Sequence, residues 1–134
     1  MKTVRNNDLR AGLVERMRKL TGTEAPKWGR MTAGQMMSHL VQTNELPFVA
    51  TVADQSNFAS RTVLKPLVLY VLPIPKGVKV SDDLDQQADG RKPQDFEADR
   101  DRAIEALNKL GTLSPDHDCL AHPFFGKMSA REWA

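Results

Sequence analysis

The chain has 134 residues, 40% of them hydrophobic and 27% charged, with a net charge of +2. This length and balance fit one ordinary globular domain and exclude disordered and collagen-like classes. The longest apolar run, residues 67–72, is too short to cross a bilayer, and the first eight residues lack the apolar stretch of a signal peptide. A lone cysteine, Cys119, excludes an internal disulfide and fits a cytoplasmic protein.

The charge is unevenly spread. Residues 1–80 carry 12 Lys/Arg against 5 Asp/Glu, and residues 81–134 carry 7 against 12. The basic half has no Lys/Arg run and few aromatics to stack bases, so neither a nucleic-acid nor a membrane partner is expected.

Leu9, Leu13, Met17 and Leu20 recur at helical spacing and predict a first helix over 7–20, closed by Thr21-Gly22-Thr23. Thr32-Ala33-Gly34-Gln35 is a capping box that opens a second helix over 32–46, with Met36, Leu40 and Thr43 read as its inward stripe. Pro47 marks its end. Residues 61–75 read as a short buried helix with Pro66 in its first turn. Val68-Leu69-Tyr70-Val71 suits a strand as well, but no partner strand exists elsewhere. Leu72-Pro73-Ile74-Pro75 is expected to be extended, and residues 76–92 to form a polar loop. A third helix is predicted over 94–111, with acids in its first turns, Lys109 in its last and Gly111 as its stop. Phe96, Leu107 and Leu110 join Leu13, Met17, Leu20, Met36 and Leu40 as the expected core.

Ser129-Ala130-Arg131-Glu132 is a second capping box and announces a last helix. The chain ends two residues after that glutamate. A helix of little more than one turn has no stability of its own. The expectation is that either the ordered fold stops there or the natural chain continues past Ala134. Trp28 and Trp133 flank the two capping boxes and are expected to close helix ends against the core.

Chemistry-bearing residues are few. His39 lies on the second helix at the edge of its apolar stripe, and alone it reads as a core-edge histidine, since a metal needs three or more converging ligands. Asp116, His117, Asp118, Cys119 and His122 cluster in one loop, but their spacing matches no zinc-finger pattern. Cys119 has no assured activating base and reads as an inert thiol. Neither a nucleophile elbow nor a phosphate-binding glycine loop is present.

Residues 28–40, WGRMTAGQMMSHL, resemble the start of the second helix in the DinB-like (YfiT-like) superfamily, where a histidine in this pattern is the first metal ligand. Residues 122–134, HPFFGKMSAREWA, resemble that superfamily's approach to its last helix. LPIPKG at 72–77, with Phe96, Asp99, Arg100, Leu107 and Leu110, looks like one of its uncharacterised branches. The resemblance covers nearly the whole chain. It implies an all-α antiparallel four-helix bundle with a short inserted helix and an incomplete last helix. It also implies a divalent metal, Zn or Ni, held by one histidine of helix two and a His-x-x-x-His pair late on the last helix, in metal-dependent thiol transferases or hydrolases.

Only His39 carries over as a metal ligand. His117 and His122 both precede the last capping box and do not match the pair. This polypeptide is therefore expected to hold well under one Zn or Ni per chain, with no catalytic residue assignable and the small-molecule substrate open. The competing reading is a non-enzymatic helical-bundle interaction module. An incomplete bundle leaves apolar stripes around Met36, Leu40, Leu107 and Leu110, which predicts a homodimer. The alternative is that residues 112–127 fold back over the groove with Leu113, Leu120, Phe124 and Phe125.

Overall fold

A computed structural model describes residues 3–71 and 81–134. Three long helices carry the fold: α1 (Asn7–Arg18), α2 (Ala33–Glu45) and α3 (Phe96–Gly111); α4 (Ala130–Trp133) is a single turn. The described residues are all-α, with no strand and one isolated bridge between His122 and Gly126. None of the helices among them is long and apolar enough to cross a membrane.

Each helix start is set by a side chain reading its own backbone. Asn6 Oδ1 accepts from the Leu9 amide at the head of α1, and Asp95 Oδ1 accepts from the Ala98 amide at the head of α3. Both capping boxes close as their spacing predicts. Thr32 Oγ1 accepts from the Gln35 amide while Gln35 Oε1 accepts from the Thr32 amide, and Ser129 and Glu132 repeat the exchange at α4.

The third helix is the hub. It packs against both α1 and α2, and Val14, Met17, Met37, Val41, Ala103, Ile104 and Leu107 form the main core between them. Leu13, Leu20, Leu40 and Phe96 are half-buried against that core rather than inside it. A second cluster joins Leu110, Leu113, Cys119 and Ala130, with Phe48 and Trp133 packed on it. Residues 112–119 thus fold back over the end of α3, and Leu107 and Leu110 are covered within the chain. Leu120 stays exposed, although its amide donates to the Pro47 carbonyl.

Two packing expectations are corrected. Met36 is not core: it is 36% exposed, and α2 turns Met37, Ser38, Val41 and Gln42 inward instead. The reason is that the buried face of α2 is half polar, so its apolar residues alone misplace the helix phase. Trp28, expected against a helix end, is largely exposed.

The helix expected over 61–75 is present in its described part, starts earlier at 58, and is not buried. It comprises two π-helical turns, Ser60–Leu64 and Leu67–Val71, joined through Lys65 and Pro66, and none of their residues is buried. One side rests on α4 and the loop before it: Lys65 pairs with Glu132 at 3.0 Å and donates to the Lys127 carbonyl, and Tyr70 reaches Glu132. Phe58 and Val63 point outward, 83% and 65% exposed. The extended conformation expected for 72–75 lies outside the described residues, as does the start of the loop expected from 76.

Candidate functional site

The second helix places Ser38, His39 and Gln42 toward the loop that runs from the 3-10 turn Asp82–Leu84 to Arg91. A chain of hydrogen bonds joins them. Gln42 Nε2 donates to the Asp83 carbonyl at 2.7 Å, and Gln42 Oε1 accepts from the Arg91 amide at 3.1 Å. Gln86, fully enclosed, donates from Nε2 to Gln42 Oε1 at 3.0 Å. Gln86 Oε1 then lies 2.9 Å from His39 Nδ1, and the Leu84 carbonyl lies 3.2 Å from the same nitrogen. His39 itself is half-buried, with its ring turned onto this loop.

The same loop is bolted to α3. Arg91 donates to Ser38 Oγ at 2.9 Å and to Asp99 Oδ1 at 2.7 Å, and Ser38 Oγ donates to the Arg91 carbonyl. Asp99 is only 2% exposed. Burial pushes its carboxyl up, but hydrogen bonds from Arg91 and the Gln94 amide, with the Arg91 and Arg102 charges, outweigh burial and hold it below the usual carboxylate range. Lys92 caps the loop by donating to the Gln86 and Ala88 carbonyls.

The remaining candidates lie elsewhere and do different work. His122 is stacked on Phe125, with ring centroids 4.7 Å apart, and sits 5.0 Å from Trp133. Its Nδ1 accepts from the Phe124 and Phe125 amides, so that nitrogen's lone pair is engaged. Burial, aided by the Lys65 charge, pushes its pKa down to about 4. The loop closes through the His122–Gly126 bridge, where Gly126 has φ +67°, a conformation that favours glycine. Cys119 is buried, and burial together with the Asp118 carboxylate pushes its thiol up, away from nucleophilic character. His117 is exposed, its ring 5.8 Å from that of Phe48. Among the described residues no group of three or more His, Cys, Asp or Glu converges on one point.

Of the candidates read from the sequence, then, His39 is engaged by a buried polar network, and His117, Cys119 and His122 are not brought to it. Sequence reasoning misses the partners Gln42, Gln86, Arg91 and Asp99. One signal is present: Ser38 and Gln42 stand four apart on α2, either side of the histidine. Two surface depressions along α3, one lined by Arg18, Asp101 and Asn108 and one by Glu45, Phe48 and Arg102, are open and do not include His39.

The described residues are all-α, and one histidine, His39, is held against a buried polar scaffold. A family model described as "Protein of unknown function (DUF1569)" matches residues 3–134, and the chain belongs to that family. No curated protein and no solved structure matches it.

Proposed function

We propose that the chain is a DinB-like helical-bundle protein in which His39 is one ligand of a divalent metal, Zn or Ni, serving thiol transfer or hydrolysis. The observation that carries this reading is the hydrogen bonding of His39: Nδ1 is engaged by Gln86 and the Leu84 carbonyl. Histidine ligands are ordinarily held in this way, by an acceptor on the ring nitrogen that does not touch the metal. The resemblance of residues 28–40 to the superfamily's metal-binding helix points to the same residue. A metal bound there supplies a Lewis acid that polarises a substrate oxygen or lowers the pKa of a bound thiol or water. The chain's own part is to orient the imidazole and keep one ring nitrogen ready for coordination.

One imidazole does not hold such an ion against water. On this reading the other ligands come from outside the described residues of a single chain, and the chain by itself binds metal weakly. Calorimetric titration with Ni2+ tests it. His39→Ala should abolish the heat that the unsubstituted chain gives, while His117→Ala should leave it intact. Heat retained in His39→Ala and lost in His117→Ala would refute the assignment.

A second reading, an interaction module that pairs with a second copy of itself, is favoured by the apolar surface of 58–71, where Phe58, Val63, Tyr70 and Val71 are exposed. Sedimentation of the unsubstituted chain and of Val63→Asp tests it, since only the former should associate.

A further inference from the structure

We propose that Gln86 is the positioning residue that fixes His39 as the Nδ1–H tautomer and leaves Nε2 as the free ring nitrogen.

Backbone groups, whose donor or acceptor character is invariant, set the direction of the whole hydrogen-bond chain. The Asp83 carbonyl can only accept, so the Gln42 atom 2.7 Å from it is the NH2 group. The Arg91 backbone amide can only donate, so the Gln42 atom 3.1 Å from it is the oxygen. Gln42 is thereby oriented from both ends. The Gln86 atom 3.0 Å from that oxygen must donate, which makes it the NH2 group and turns Gln86 Oε1 toward His39. His39 Nδ1 then faces two acceptors and no donor: Gln86 Oε1 at 2.9 Å and the Leu84 carbonyl at 3.2 Å. In the neutral ring the proton must sit on Nδ1, and the lone pair is left on Nε2.

Burial makes this choice firm. Gln86 is 2% exposed and Gln42 is 8% exposed, so neither amide can turn over and recover its partners from water. The Gln86 backbone is held by Lys92, which donates to its carbonyl at 3.1 Å. The direction of the relay originates in the turn 82–91, not in the histidine's own helix. The use of the free Nε2 for a metal rests on the reading above; the tautomer does not.

Long-range 15N–1H correlation spectra of metal-free protein, at a pH well above the ordinary histidine value of about 6.5, read the tautomer directly. The unsubstituted chain should show a protonated Nδ1 and an unprotonated Nε2 for His39. Gln86→Leu removes the nearer acceptor and should raise the Nε2–H form several-fold. Gln86→Glu gives up the donor to Gln42 Oε1 but keeps an acceptor against Nδ1, and should restore the original pattern at His39. Nε2–H in the unsubstituted chain overturns the proposal, and so does a Gln86→Leu spectrum identical to it. Should Gln86→Leu not fold, Gln86→Glu decides, since Nε2–H there also overturns it. Metal plays no part in these spectra, so a chain that shows Nδ1–H yet gives no Ni2+ heat counts against the metal reading alone. With metal added, Gln86→Leu should weaken Ni2+ binding by about 10–100-fold.

Discussion

His122 should make the protein acid-sensitive well above the pH at which carboxylates titrate. Its ring is packed among Phe124, Phe125 and Trp133, and its Nδ1 accepts two backbone amides, so protonation would put charge in an apolar stack and break both bonds. The folded pKa is lowered to about 4 from 6.5. A base with a depressed folded pKa costs nothing above its unfolded value. Below about pH 6.5 the unfolded chain takes up a proton that the folded chain refuses, so stability falls until about pH 4. Each pH unit crossed between the unfolded and folded pKa values removes about 1.36 kcal/mol, so the loss between about pH 7.5 and 4.5 comes to about 2–3 kcal/mol from this residue. Urea unfolding at the two pH values, for the unsubstituted chain and for His122→Phe, isolates it, because the carboxylates are common to both. The substituted chain should start less stable at the higher pH, having lost the acceptor for two amides, and lose about 2–3 kcal/mol less on acidification. Equal losses in the two proteins would refute the reasoning, as would a His122 imidazole that titrates near its ordinary value of about 6.5 by NMR.

Three further outcomes follow from the packing. Met37→Ala should cost about 2–5 kcal/mol by leaving a cavity in the fully enclosed core, whereas Met36→Ala should cost less than about 0.5 kcal/mol; chemical denaturation compares them. Gly90→Ala should destabilise by about 1–3 kcal/mol, since its Cβ would lie 2.8 Å from the Asp85 carbonyl and 2.9 Å from Gln86 Nε2, and it should disturb the His39 spectrum as well. If the apolar face of 58–71 pairs two copies, sedimentation across a hundredfold concentration range should show a dimer that Val63→Asp dissolves, while a strictly monomeric chain throughout would dispose of that reading.

The parts of the fold legible in the sequence are those written locally. Both capping boxes, the start of α1, the stop of α3 at Gly111 and the apolar stripe of α3 depend on residues within a turn or two of each other, and they form as the spacing predicts; α1 ends at Arg18 rather than 20, and α3 starts at Phe96 rather than 94. The phase of α2 is not legible. Ser38 and Gln42 look like surface residues, and the partners that offset the cost of burying them stand 41 to 53 residues away: Arg91 for Ser38, and Asp83, Gln86 and Arg91 for Gln42. The same distance in sequence hides the scaffold of His39: Gln86 is one glutamine in a polar stretch until the turn at 82–84 sets it against Gln42. Residues 61–71 are legible as helix and not as exposed, because composition reports that a segment is apolar and not whether anything covers it. His39 can be singled out from its helix and the motif around it, but the fixing of its Nδ1 cannot.

The central claim is that His39 offers Nε2 to a metal, and crystals soaked with Zn2+ and measured across the zinc absorption edge test it most directly. At soak concentrations high enough to load a weak site, a partly occupied anomalous peak is expected about 2.0–2.1 Å from His39 Nε2, with Nδ1 still bonded to Gln86. A peak seated instead on His117, Cys119 or His122, with none at His39, would contradict it.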